Sequence, residues 1–571
     1  MNRKLIHAAS GAIPADLVIK NGQVIDVFNL KIIHSDVAIT DGTIVGIGGN
    51  YEGEQIIDAK GRFVVPGLID SHVHIESSMT TPSQFAKAVL PHGVTTVITD
   101  PHEIANVSGV KGIQFMLEDS EKIPLDVRIM LPSCVPATPF ESAGAVLTAN
   151  DLRPFYTHSR VLGLAEVMDF PSVKNLEEGM FAKLADAKFR KKNIDGHGAG
   201  LDTTGLNIYR AAGITTDHEC TNADEALERI RRGFYVMIRE GSAAKNLKAL
   251  LPAITPRNSH RFLLCTDDKH LDELIDEGSI DASIRIAINL GLDPLMAIQL
   301  ATINAAQCFG MHTKGAIAPG YDADFLFLDS LDDFRIFVTY VQGVPVARQG
   351  HYIGPELKPH RTASNLKQTV RLAKITPSDL KIPIQDDRAN VIGIIPNSIV
   401  TDHLLAYVPT KDGYFVPSPE SDLLKLAVIE RHHQTGKVGV GIVKGFGINR
   451  GAVAATIAHD SHNLMVTGTN DRDMLTAINA VEYLQGGIVI VDDGQILASL
   501  PLPIGGLMSD APLEEISQGI RSLTTALATI GFAGDFDFLL TLAFLGLPVI
   551  PSLKLTTNGL FDVSRFQEIR V

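Results

Sequence analysis

Three observations predict an α/β fold: a TIM-like (β/α)8 barrel, a small β-sandwich domain built from both its flanks, and an extra C-terminal α+β domain. The segment Phe63 to Glu76 climbs through an apolar run and a Pro-Gly turn to Asp70-Ser71-His72-Val73-His74. Seven further apolar runs follow, VTTVITD, VRIMLPS, VLGLAEV, NIDGHGA, GITTDHE, FYVMIRE and FLLCTDD, each closing on polar residues. One polar residue per strand end gives His74, His102, Ser133, Glu166, His197, His218, Glu240 and Asp267, spaced 21 to 33 residues apart. That spacing fits one βα unit. Eight such units in roughly 250 residues mark this barrel, whose active sites lie at the C-terminal strand ends.

The flanks read differently. Residues 16–62 are short strands, with Asn21-Gly22 and Asp41-Gly42 as hairpin turns between them. After the barrel, KGAIAPGYDADFLFLD and FVTYVQGVPVARQGHY return to strands and turns. Residues 1–62 and 311–357 are therefore expected to form one small β domain around a barrel of residues 63–310. Residues 358–389 are polar and read as a connector. Residues 390–571 mix strands such as KVGVGIVKG with helices such as DRDMLTAINAVEYLQ, which predicts the C-terminal α+β domain.

A chain of 571 residues is too long for one core. Its net charge of −15 has no long block of one sign, which excludes nucleic-acid and anionic-membrane binding as expectations. The four cysteines, Cys134, Cys220, Cys265 and Cys308, lie far apart with no C-x-x-C, so neither a disulfide framework nor a zinc knuckle is indicated. The N-terminal stretch has no apolar signal region and no long uncharged apolar run follows, so a cytoplasmic protein is expected.

The strand ends carry the chemistry. In an extended strand His72 and His74 project to the same side, a ready clamp for a divalent metal. Glu166, His197, His218 and Asp267 close later strands at the same end of the barrel. Without a cation, imidazoles and carboxylates crowded there would repel one another or stay unsatisfied. Four histidines and two carboxylates suit Mn²⁺, Fe²⁺ or Zn²⁺ rather than a thiolate site. The set is large enough for two ions. One would take His72, His74 and Asp267, the other His197 and His218, with Glu166 spanning a gap of roughly 3.5–4 Å. Asp267 would also take the proton of the water nucleophile.

PGLIDSHVH, the strand-end carboxylate, the single histidines of two later strands, the final TDD and the flanking β domain resemble the amidohydrolase superfamily. HVHIESSMTTPSQFAKAVLPHGVTTVITDPHEIANVSG, GLAEVMDF, CTDDKH, IAHDSHN and LPLPIGGLMSD are similar to the bacterial adenine deaminase family within it. The resemblance covers nearly the whole chain, and Glu166 stands where many superfamily members use a carboxylated lysine. It implies hydrolytic deamination of adenine to hypoxanthine and ammonia by a homo-oligomer, dimer or tetramer. Two divalent metals are implied, Mn²⁺ ahead of Fe²⁺ and Zn²⁺. The alternatives are cyclic-amide hydrolysis of the dihydroorotase or hydantoinase kind and, in a different class, a non-catalytic scaffold. The cytidine-deaminase pattern is excluded, because His74-Ile75-Glu76 has no P-C-x-x-C partner.

Several residues have two readings. Asp100-Pro101-His102-Glu103 is either a capped turn entering a helix or a substrate contact. Glu76 either meets the purine edge or caps Ser77-Ser78. Arg239 and Glu240 form either a structural ion pair or a substrate contact. Asp268 and His270 are candidates to shuttle a proton beside the attacked carbon. His432-His433 and His459-Asp460-Ser461-His462 read as a local hydrogen-bonded turn, or as a flap or second metal site over the barrel mouth.

Overall fold

The computed structural model describes residues 2–386 and 388–571. Met1, in the expected flanking domain, and Asp387, in the expected connector, lie outside the described residues. Parallel strands organise the middle of the chain: β1 (Leu68–Val73), β2 (Val94–Thr99), β3 (Asp126–Leu131), β4 (Val161–Val167), β5 (Asn193–Gly196), β6 (Thr216–Asp217), β7 (Tyr235–Arg239) and β8 (Phe262–Cys265). Strands β1 to β5 pair in order as one sheet and β6 to β8 as another. The two sheets meet at both edges. Val73 forms a parallel bridge with Asp267, and the Thr215 N–H donates to the Ile194 carbonyl at 3.0 Å. The result is a curled parallel sheet.

Apolar side chains hold the curl. Ile69, Ile98, Met130, Ala165, Met237, Leu263 and Cys265, from six different strands, share one cluster with Phe309. Ile104, Phe115, Leu206 and Ile284, on helices that follow the strands, belong to the layer packed outside it. Burial of each large side chain stabilises the fold by about 1.5–3 kcal/mol.

The first strand departs from expectation. The run from Phe63 to Asp70 is not one strand but two, broken at Gly67. Phe63–Pro66 pairs antiparallel with Phe325–Leu328 in the flanking sheet, so the parallel strand starts at Leu68 rather than at Phe63. A Cβ at Gly67 would lie 2.2 Å from Thr95 Oγ1, so only glycine lets the chain pass from one sheet to the other. The flanking sheet has seven strands drawn from both sides of the parallel region. It encloses a core with a four-stranded sheet through Leu17, Ile19, Val24, Ile39, Val64, Phe325, Phe327 and Tyr340.

Residues Arg388–Pro501 contain a largely antiparallel eight-stranded sheet. Two of its neighbouring strands, Ala452–Ala455 and Leu464–Gly468, are joined by the IAHDSHN loop. Among the described residues, no helix is long and apolar enough to cross a membrane.

A buried ion pair fixes the loops after β5 and β6. Arg229 Nε donates to Asp217 Oδ2 at 2.8 Å, and its Nη2 donates to the Gly198 carbonyl at 2.8 Å. Asp217 Oδ1 accepts the Gly198 and Glu219 N–H groups at 2.9 and 3.0 Å. Burial pushes the Asp217 carboxyl up, but the Arg229 guanidinium outweighs it and holds the group below its usual range. Arg229→Met should therefore destabilise the fold by about 3–5 kcal/mol, because Asp217 is left buried and unpaired. A urea titration would show it as a lower midpoint. A lowered carboxylate pKa stabilises above the unfolded value of 3.8 and loses that share as pH falls. The gap between wild type and variant should therefore narrow on acidification below that value.

Candidate metal centre

Glu166, near the end of β4, is the centre of the site. Its Oε1 lies 3.3 Å from His74 Nε2 and 3.8 Å from His72 Nε2. Its Oε2 lies 2.9 Å from His197 Nδ1 and 3.2 Å from His218 Nε2. The two oxygens of one carboxylate thus face different predicted histidines, Oε1 His72 and His74 and Oε2 His197 and His218. Asp267 closes the first pair, with Oδ1 at 3.2 Å from His74 Nε2 and 3.5 Å from His72 Nε2. The His72 and His218 rings stack with centroids 4.3 Å apart. All six predicted ligands are brought together.

Local structure aims each of them. Asp267 sits in a left-handed turn with φ of 59°, a conformation that aspartate tolerates. There its N–H donates to the His72 carbonyl at 2.9 Å, and its own carbonyl accepts the His74 N–H at 3.2 Å. Thr266 ties the same turn to β1 by donating Oγ1–H to Asp70 Oδ2 at 2.5 Å. His74 Nδ1 lies 3.0 Å from the Asp100 carbonyl, and His72 Nδ1 lies 3.2 Å from Asp195 Oδ2. His74 then carries its proton on Nδ1 and turns the Nε2 lone pair towards Glu166 and Asp267, as a metal ligand must, and the Asp195 carboxylate beside His72 Nδ1 favours the same tautomer there.

The donor set fits a divalent cation. His72 Nε2, the nitrogen turned to Glu166 and Asp267, is buried without a hydrogen-bond partner, and such an orphaned atom is costly. The groups His72–His74–Asp267 and Glu166–His197–His218 each bring their donor atoms within 4.8 Å of one another. Burial disfavours charge on both residue types. Even so, with no cation present the imidazoles act as proton donors and hold the Glu166 and Asp267 carboxyls well below the usual range. These carboxylates stay ionised and demand positive charge.

Comparison with known proteins follows the same division of the chain. The amidohydrolase family model matches residues 63–346, and the adenine deaminase C-terminal domain model matches residues 398–567. The adenine deaminase of Geobacillus kaustophilus (strain HTA426) is 55% identical over 571 residues, 99% of this chain and 98% of that protein. Those of Bacillus licheniformis and Bacillus subtilis (strain 168) are 55% and 52% identical, each covering 99% of this chain and 98% of the relative. The chain belongs to the adenine deaminase family.

In this family member Arg239 and His102, of the second set of predicted residues, border the centre, while Glu240 turns away from it. Arg239 does not pair with Glu240. Its Nη1 donates to Asp267 Oδ2 at 3.1 Å and its Nη2 to Glu219 Oε2 at 3.1 Å, while Glu240 accepts the Leu247 N–H at 3.1 Å. His102 begins the helix His102–Ser108. Its Nδ1 lies 3.0 Å from Asp100 Oδ2 and 3.5 Å from Glu166 Oε1, and its Nε2 lies 3.4 Å from Glu103 Oε1. Asp268 Oδ1 accepts from Ser77 Oγ at 2.5 Å, and His270 Nδ1 lies 3.2 Å from Asp537 Oδ2. Glu76 Oε1 accepts the Ile104 N–H at 3.2 Å, so it caps the helix after β2 rather than Ser77-Ser78. Its Oε2 is buried without a partner. Burial and the neighbouring Glu103 charge push its carboxyl up to about 7.

Sequence reasoning missed Asp195 and Glu219. Asp195 precedes His197 by two residues in DGHG, and Glu219 follows His218 directly, so both signals lay beside predicted ligands. Glu219 Oε1 lies 3.5 Å from His218 Nε2 and 3.6 Å from His197 Nδ1. Asp195→Asn should weaken divalent-metal affinity by about 10–100-fold, because the amide no longer fixes the His72 tautomer. Equilibrium dialysis of the metal-free protein against Mn²⁺ measures it.

Proposed function

We propose that this chain hydrolyses adenine to hypoxanthine and ammonia at a centre of two divalent cations. His72, His74 and Asp267 would hold one, His197 and His218 the other, and Glu166 both. The observation that carries this reading is that Glu166 Oε1 faces His72 and His74 while Oε2 faces His197 and His218. Adenine, rather than a cyclic amide, is supported by relatives at 55% identity over essentially the whole chain that are named adenine deaminases. Mn²⁺ is the first choice of metal, then Fe²⁺ and Zn²⁺, all compatible with imidazole and carboxylate donors. The eight parallel strands are read as one (β/α)8 barrel of residues 63–310, entered by its first parallel strand at Leu68. The β-sandwich of residues 1–62 and 311–357, the connector 358–389 and the C-terminal α+β domain 390–571 complete that reading. A homo-oligomer working in the cytoplasm on the free base, in purine salvage, completes the proposal.

The bound cations supply Lewis acidity that makes water a competent nucleophile near neutral pH. Water adds to C6 of the purine, the carbon that bears the amine. Asp267 takes the proton from this water. Arg239 donates to its Oδ2, and Oδ1 faces His72 and His74. The purine ring nitrogen beside C6 must be protonated as negative charge develops on it. Glu76 is the assigned donor. His102 faces Asp100 and Glu103, Asp268 Oδ1 accepts from Ser77 and His270 Nδ1 faces Asp537, while Glu76 combines a buried oxygen without a partner with a carboxyl near neutrality. Protonation of the amine then releases ammonia and leaves the C6 carbonyl of hypoxanthine.

Mn²⁺-loaded protein should release ammonia from adenine and leave dihydroorotate and hydantoin intact. Hydrolysis of a cyclic amide without turnover of adenine would overturn the substrate. Asp267→Asn should lower kcat by about 10²–10⁴-fold, the usual loss on removing a positioned base. Circular dichroism of the variant checks that the fold survives.

A further inference from the structure

The IAHDSHN loop directs its polar side chains at the mouth of the parallel sheet. His459 Nδ1 lies 2.8 Å from Glu103 Oε1, and His462 Nε2 faces Glu103 Oε2. Asp460 Oδ1 is 3.9 Å from His102 Nε2. Ser461 Oγ donates to Glu141 Oε1 at 2.7 Å, and Asn463 Nδ2 donates to the Ser142 carbonyl at 2.9 Å. His432 secures the loop from behind, with Nε2 at 2.8 Å from the Ser461 carbonyl. The side chains of His459, Asp460 and His462 are 6%, 5% and 1% exposed, so solvent does not share in these contacts.

Glu103, His459 and His462 are close enough to hold a metal ion, but the tautomer of His462 argues otherwise. The Ala458 N–H donates to His462 Nδ1 at 3.1 Å, so that nitrogen is an acceptor and the ring proton sits on Nε2, facing Glu103. A ligating imidazole does the reverse, donating its second N–H and presenting a lone pair to the metal. The cluster is therefore a clamp in which the His459 N–H donates to Glu103 Oε1 and the His462 ring, with its proton on Nε2, abuts Oε2. That carboxylate leads back to the centre. Glu103 Oε1 touches His102 Nε2, and His102 packs on His74 with ring centroids 4.7 Å apart.

Resting on the deaminase reading, we propose that the His459–His462 loop is a fixed wall of the catalytic mouth. His459 and His462 are positioning residues: they lock Glu103, and Glu103 orients His102 beside Glu166 and His74. The site is incomplete without the C-terminal sheet. A barrel with intact metal ligands would then still turn over slowly.

The test compares two double variants in the full-length, Mn²⁺-loaded protein. His459→Ala with His462→Ala removes both donors. His459→Asn with His462→Gln keeps them, because the Asn amide nitrogen falls near imidazole Nδ1 and the Gln nitrogen near Nε2. The alanine pair should lose about 10–100-fold in kcat with adenine, in kcat rather than KM, and the amide pair should recover most of it. Hydrogen exchange in the peptide spanning 102–108, measured without metal, should quicken in the alanine pair only. Wild-type kcat in a folded alanine pair, or an amide pair as impaired as the alanine pair, overturns the proposal. If the alanine pair does not fold, the amide pair decides alone: turnover close to wild type supports the clamp, and a tenfold or greater loss overturns it. One metal equivalent fewer in both variants would replace the clamp with a third cation site. Failure of the wild type to release ammonia would sink the deaminase reading, while the exchange data would still judge the clamp.

Discussion

Glu166 is a buried carboxylate with His72, His74 and His102 around one oxygen and His197 and His218 around the other, and the rest of the centre is arranged around that fact. Burying an ion costs several kcal/mol unless opposite charge accompanies it. Asp267, Asp195 and Glu219 add further negative charge within a few ångströms of the same histidines. Among the described residues Arg239 is the one guanidinium set against them, bonded to Asp267 and Glu219. Neutral imidazoles cannot balance that excess. Cations can, and the lone pairs turned inward by Asp195 and the Asp100 carbonyl are where they would bind.

The scaffold serves this electrostatic demand by fixing strand ends rather than by strengthening strands. Thr266 to Asp70 and Asp267 to His72 sew the last parallel strand to the first. Arg229 and Asp217 do the same for the loops carrying His197 and His218. Hydrogen-bonded groups that are themselves buried lose little entropy on ligand binding, so the centre is held ready in its binding geometry. The C-terminal loop extends the same device from a different sheet.

Much of the centre was legible in the sequence because strand periodicity places alternate residues together. His72 and His74 follow from period two, and the strand-end rule brought Glu166, His197, His218 and Asp267 to one place. Where local geometry overrides periodicity, the reading fails. Gly67 splits an apparently continuous strand because Thr95 leaves no room for a side chain. Glu240 turns to the Leu247 N–H instead of the mouth. Arg239 and Glu240 are sequence neighbours, yet Arg239 takes partners 20 and 28 residues away. The His459 contact with Glu103 joins residues 356 apart, which no local pattern encodes. The sequence motif offered a turn, a flap or a metal site there, and only the tautomer set by the Ala458 N–H separates them.

The central claim is that Glu166 joins two metal positions in one reaction centre, and a metal titration reaches it most directly. Metal-free protein is given Mn²⁺ in steps while ammonia release from adenine and bound metal are followed together. Activity should rise with occupancy and break at two equivalents per chain, with little turnover at the first. Full activity at one tightly bound equivalent would contradict the shared centre.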